Sequence, residues 1–219
     1  MGRESQGNPG RKAGQPAREA IMDTAERLFG DRGIDAVSLR TINTEAGYSV
    51  AALHYHFGTR DGLIRALLAR AQPSMLASRD RMVAELRPLA KPPLERIVDA
   101  LVAPLTIGLL ANQADGARRL RFLARLYFDR SPWVAGTVAE GLAIFLPLLR
   151  RALPELDEGT LKRRWAIASE LAAHAVANAR ELHSGAVGCR HMGRGGLERF
   201  LGELVQFIAG GLSAPRQGT

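Results

Sequence analysis

The residues of this chain best suited to chemistry lie between Ser38 and Leu63, in the run SLRTINTEAGYSVAALHYHFGTRDGL. Ser49, Val50, Ala51 and Ala52 open a short helical pattern with small side chains, which lets a helix approach a DNA groove closely and touch thymine methyl groups. Ser49 can bond a base edge or a phosphate. His54, Tyr55 and His56 close the same pattern with side chains that donate to phosphate oxygens, and Arg60 adds a charged clamp just beyond. Ser38 and Thr41, at the start of the preceding helix, offer hydroxyls and helix-terminal amides to the backbone of a duplex. Arg40, Asn43 and Thr44 are the polar residues of that helix that could also reach a groove. The reading helix has no Arg, Asn, Gln or Lys, so its base readout is expected to be apolar and shape-based. His54 and His56 stand two apart, on different faces of a helix and without a third ligand nearby, which argues against a metal site.

Those side chains need a scaffold, and the local pattern supplies one. Ile21, Ala25, Leu28 and Phe29 recur at helical spacing and give a first helix that should stop near Gly30 or Gly33. Ser38 is placed to cap a second helix lined by Leu39, Ile42 and Ala46. Gly47 breaks it, and Ser49 caps a third helix whose Leu53 and Phe57 point inward. A fourth helix starts at Thr59 or Asp61 and buries Leu63, Ile64, Leu67 and Leu68. Further helices are expected over roughly 73–89, 94–112, 115–130, 133–150, 160–184 and 197–209, with kinks or divisions at Pro104 and Pro147. The fold class is all-α. Residues 1–16 form a basic tail expected to be flexible, 17–63 a helix-turn-helix domain, 64–212 a larger helical domain and 213–219 a second tail.

Composition agrees with an anionic partner. Thirty Lys and Arg against 22 Asp and Glu give a formal net charge of +8, spread along the chain rather than in one block. Arg3, Arg11, Lys12 and Arg18 either touch phosphates nonspecifically or simply solubilise the tail. The single cysteine, Cys189, excludes an intrachain disulfide and sits in a glycine- and arginine-rich loop as an incidental thiol. No apolar run near the N-terminus resembles a signal peptide, and the apolar stretches near 101–111 and 141–149 are too short or too proline-interrupted to span a bilayer. The chain is therefore expected to be cytoplasmic. No nucleophile elbow, zinc signature or phosphate loop is present, so neither catalysis nor a cofactor is expected.

The order of motifs from Arg18 to Leu67 closely resembles the TetR family of bacterial transcriptional regulators. It is carried by Ile21, Ala25 and Phe29, by Gly33, by Ser38 to Ile42, by Ala46 to Ser49, by Leu53 to Phe57 and by Thr59 to Leu63. Two positions depart from the family's usual pattern. Asn43 stands where alanine is common and is expected to be exposed, loosening packing slightly; His54 stands where tyrosine is common. The resemblance implies a homodimeric repressor on a palindromic operator, released by a small-molecule effector bound in the C-terminal domain. An activator or ligand-independent regulator of the same fold is the alternative, and a non-catalytic helical adaptor is the rival from another class.

Two sets of C-terminal residues follow from these expectations. Trp165, Ala168, Leu171, Ala172, Ala175 and Ala179 form a long stripe rich in small residues. Phe200, Leu201, Leu204 and Ile208 give the last helix a wide apolar face. Such a pair can pack against its own copy, or complete the core of one chain. Asn112, Arg125, Tyr127, Trp133, Trp165, His174 and Asn178 are polar or aromatic residues within or beside apolar helices, and are candidates to line a ligand cavity. His174 and Asn178 share a helical face and could instead bond across a two-fold axis.

Overall fold

A computed structural model of the chain describes residues 9–111, 113–129, 131–187 and 193–215. Asn112, Cys189 and both chain ends (1–8 and 216–219) lie outside the described residues. The chain divides into two compact units, 1–70 and 71–219. Every regular element among the described residues is an α-helix.

The first unit holds α1 (Pro9–Arg32), α2 (Leu39–Ala46), α3 (Val50–Phe57) and the opening turns of α4 (Arg60–Leu86). The helix α1 begins well before the Arg18 start expected from the pattern. Pro9 suits a first helical position, where its missing N–H has no intrahelical partner to lose. Ile21, Ala25, Leu28 and Phe29 of α1, Ile42 of α2, Leu53 of α3 and Leu63 and Leu67 of α4 are fully buried and make the core. The caps expected from the sequence are formed. Ser38 Oγ accepts from the Thr41 N–H at 3.0 Å and Ser49 Oγ from the Ala52 N–H at 3.2 Å. Gly47 closes α2 at φ 75°, a left-handed conformation that glycine adopts without a Cβ penalty, and the Tyr48 N–H returns to the Asn43 carbonyl at 3.0 Å.

A carboxylate cluster fastens α4 to α1 within this unit. Arg70 reaches Glu19 at 3.0 Å, Asp23 at 2.8 Å and Glu26 at 2.7 Å. Glu26 is buried, so the guanidinium neutralises a charge that would otherwise be stranded away from water.

Asn43 is not exposed, contrary to the sequence expectation. It is 3 % exposed, and neither polar atom of its amide finds a hydrogen-bond partner. The helical register turns it inward one residue after Ile42, and no donor or acceptor of the unit lies in reach. Each buried unsatisfied polar group costs about 1–3 kcal/mol. Asn43→Ala, which also raises helix propensity, is therefore expected to stabilise the protein by about 1–2 kcal/mol. Urea denaturation followed by circular dichroism measures this, and a lowered midpoint would show that the amide is doing something the alanine cannot.

The second unit contains the remainder of α4, then α5 (Leu94–Ala111), α6 (Gln113–Phe128), α7 (Ala135–Ala152), α8 (Glu158–Ala177), α9 (Ala179–Val187) and α10 (Arg194–Ser213). Three prolines fail to divide their helices: Pro73 in α4, Pro104 in α5 and Pro147 in α7. Pro73 and Pro147 lie on exposed faces, where water can take the carbonyl each leaves unbonded. The segment expected as one helix over 160–184 is instead α8 and α9. Asn178 separates them, its amide nitrogen donating to the His174 carbonyl at 2.9 Å in competition with the helix ladder. Arg151 donates to the carbonyls of Arg87 and Leu89, and Arg164 to that of Leu212, so arginines satisfy the orphaned ends of α4 and α10.

The stripe expected at an interface between copies is largely the core of this unit. Trp165, Ala168, Ala172, Ala175 and Ala179 are buried by the chain itself, as are Leu204 and Ile208. Leu171, Phe200 and Leu201 are half-buried and pack against the same core. Small residues along α8 let neighbouring helices approach it closely, and the Trp165 ring packs 4.4 Å from that of Phe145. What α8 and α10 present outward is different: Ile167 is 67 % and Phe207 72 % exposed.

Candidate nucleic-acid interface and interior cavity

Two turns of α3 sort their side chains cleanly. Leu53 and Phe57 face the core, while Val50, Ala51, His54 and Tyr55 form one exposed face at i, i+1, i+4 and i+5. Ala52 and His56 flank this face half-buried, and Ser49 is exposed at its N-terminal end. Tyr55 is the most open of them at 85 %. Its hydroxyl is free to reach a phosphate. The Ser49 oxygen caps the helix as an acceptor, which leaves its O–H proton available to donate outward. Ser38 and Arg40 are exposed beside it and Thr41 is half-buried, its hydroxyl 2.8 Å from that of Ser38. The pattern missed Tyr48, an exposed aromatic at the turn between α2 and α3. Its position directly after the helix-ending Gly47 was the available signal.

Two residues behave differently from expectation. The Arg60 guanidinium donates to the Ile34 carbonyl and lies 5.6 Å from the centre of the Phe29 ring. It is committed to the unit's own packing instead of standing out as a clamp. His54 Nδ1 lies 2.7 Å from the Gly58 carbonyl, which can only accept, so Nδ1 carries a proton. In the neutral ring Nε2 is then an acceptor, and a phosphate contact through Nε2 requires the imidazolium. Glu45 is occupied as well: a hydrogen bond from Arg27 holds its carboxyl below the usual range, helped by the nearby charges of Arg27 and Arg32.

Residues 21–67, the span that builds this face, match the family model described as bacterial regulatory proteins of the tetR family. Residues 99–211, more than half of the chain, match a second model, the tetracyclin repressor-like C-terminal domain. The chain belongs to the TetR family. Among TetR-related proteins, an HTH-type transcriptional repressor of Mycobacterium tuberculosis is 29 % identical over 130 residues, 57 % of this chain and 64 % of that protein. The HTH-type transcriptional regulator BetI of Rhizobium meliloti is 36 % identical over 75 residues, 34 % of this chain and 36 % of its own length. The chain thus spans less than two thirds of these curated relatives. The fold is shared with Mycobacterium smegmatis AmtR at a TM-score of 0.55 and 21 % identity, over 95 % of this chain and 90 % of that one.

Within the second unit of this TetR chain lies a cavity of about 590 Å³, inside the range typical of small-molecule sites. Of the residues expected to line it, Tyr127 and Trp165 do. Arg125 is exposed and paired with Asp129 at 3.0 Å, His174 and Asn178 bond to one another's turn, and Trp133 is not part of the wall. The wall is instead mostly aliphatic, with Leu76, Leu101, Leu105 and Leu142 among its members, and Arg79, Lys162 and Glu170 as its charged groups.

Proposed function

We propose that this protein is a transcription regulator that binds DNA as a homodimer, represses at an inverted-repeat operator and releases it when a small molecule enters the cavity. The observation that carries the reading is the exposed face of α3. A helix whose inner side is a packed core and whose outer side offers Val50, Ala51, His54 and Tyr55 has the form of a groove reader. The net positive charge of +8 supports association with a polyanion. A second copy would dock on the outward sides of α8 and α10, around Ile167 and Phe207, since the inward sides are already covered. The helix α4 contributes Leu63 and Leu67 to the reading unit's core and Leu76 and Arg79 to the cavity wall, so an occupant that moves α4 acts on the reader. Coupling of this kind is reciprocal: a ligand that weakens DNA binding is itself held less well by the DNA complex.

Relatives point the same way. The Mycobacterium tuberculosis protein is named a repressor, and a Paenarthrobacter nicotinovorans relative, 36 % identical over 66 residues, 30 % of this chain and 34 % of its own length, is named a nicotine-responsive repressor. Selection of genomic fragments by the purified protein tests the proposal. The expected result is enrichment of an inverted repeat whose half-sites lie one helical turn or a multiple apart. Enrichment of unrelated sequences with no repeat would overturn it.

A further inference from the structure

We infer that the cavity takes an amphipathic organic anion, with an apolar body along the aliphatic wall and an anionic head on Arg79. The inference rests on the effector reading above and adds the chemistry of the ligand. Three observations carry it.

First, the wall has little polar capacity left for a ligand rich in hydroxyls. Ser169 already donates to the Trp165 carbonyl at 2.8 Å, and both Tyr127 and Glu170 have interactions within the chain. Ser131 adds one more hydroxyl, too little to replace the hydration of a sugar or nucleoside. Second, of the wall's charged groups Lys162 is already paired with Glu158 at 2.6 Å and Glu170 has an interaction within the chain, which leaves Arg79 as the group with donors to spare. Third, Arg79 is only partly satisfied. Its side chain is 16 % exposed, and one edge is used: Nε and Nη2 both donate to Asp80 Oδ1, at 3.0 and 2.8 Å. Asp80 itself is largely in water and is not part of the wall. The other edge, Nη1 with the second Nη2 proton, meets no acceptor among the described residues. A guanidinium edge offers two parallel donors that match a carboxylate, and a shielded site strengthens such a pair.

The test compares decanoate, decanol and decylammonium below their micelle concentrations, with binding followed by tryptophan fluorescence (Trp165 is in the wall) and by release of a selected duplex. Decanoate is expected to bind at least about 10-fold more tightly than the other two and to release the duplex. Arg79→Met should abolish that preference, bringing decanoate no tighter than decanol, and Arg79→Lys should keep part of it. A melting curve for each variant separates lost recognition from lost folding. Equal binding of all three compounds, or tightest binding of decylammonium, would overturn the anion assignment and leave the effector reading standing. Preferred binding of decanoate without duplex release would uphold the anion site and overturn the effector reading. If none binds, and 1-anilinonaphthalene-8-sulfonate gains no fluorescence with the protein, both fall.

Discussion

Ala51→Glu is expected to lower affinity for a selected operator duplex by at least about 100-fold, or about 3 kcal/mol, with no change in folding. Ala51 lies on the exposed face of α3 and touches no core residue's place, so a longer side chain meets no internal obstacle. In a docked complex it would carry a carboxylate into the major groove between two phosphate strands, where the phosphates repel it and base-edge acceptors outnumber donors two to one. Fluorescence anisotropy with the selected duplex measures the loss, and a thermal melt shows that the fold is intact. The control is Ala139→Glu, an exposed position of α7 with the same change in net charge. Equal losses in the two variants would mean that net charge matters and that α3 is not the docking element.

The second large effect is expected at Gly62→Ala, this time on folding. Gly62 is the third residue of α4, where its N–H donates to Thr59 Oγ1 at 3.1 Å and the chain has just turned back from α3. A Cβ there would run into the Phe57 carbonyl oxygen and approach its carbon to 3.1 Å, and these are backbone atoms that cannot swing aside. Phe57 is a buried residue that also anchors the end of α3. Overpacking against a fixed backbone is expected to destabilise the first unit by about 3 kcal/mol. Both tryptophans, Trp133 and Trp165, belong to the second unit, so the two signals of a urea titration separate. Circular dichroism should show an early transition that tryptophan fluorescence does not follow. Gly202→Ala provides the contrast, because its added Cβ meets nothing within 4 Å on α10; helix propensity there should give up to about 1 kcal/mol of stabilisation. A wild-type melt for Gly62→Ala would mean that the turn between α3 and α4 relaxes freely.

Local features of the reading unit were legible in the sequence because their causes are local. Ser38, Gly47 and Ser49 mark helix ends through bonds to residues three or four positions away, and the buried sides of α1 and α3 follow from period alone. Features decided at a distance were not legible. Arg60 looked like a phosphate clamp because its acceptor, the Ile34 carbonyl, is 26 positions earlier. The α8 stripe has the same periodicity whether its cover comes from this chain or from a second copy, and only packing distinguishes the two. Arg79 was missed for a related reason: between Ser78 and the pair Asp80-Arg81 it reads as part of a solvated face. Tyr127 and Trp165 do line the cavity, whereas Trp133, an aromatic expected on the same grounds, does not, so residue type alone does not decide the wall.

If α3 reads DNA as proposed, its brevity limits how much a single copy can read. Eight residues make a helix of about 12 Å at 1.5 Å per residue, and with base pairs about 3.4 Å apart along each strand it can follow about four of them. A word of about four letters recurs by chance roughly every 256 base pairs, far too often to address one promoter among the competing sites of a genome. If two copies read such words at a fixed spacing, as proposed, the interval lengthens to roughly 65,000 base pairs, so half of the address depends on a second copy held at the right distance. A ligand that altered this distance by a few ångströms would scramble the address while leaving every letter of it readable.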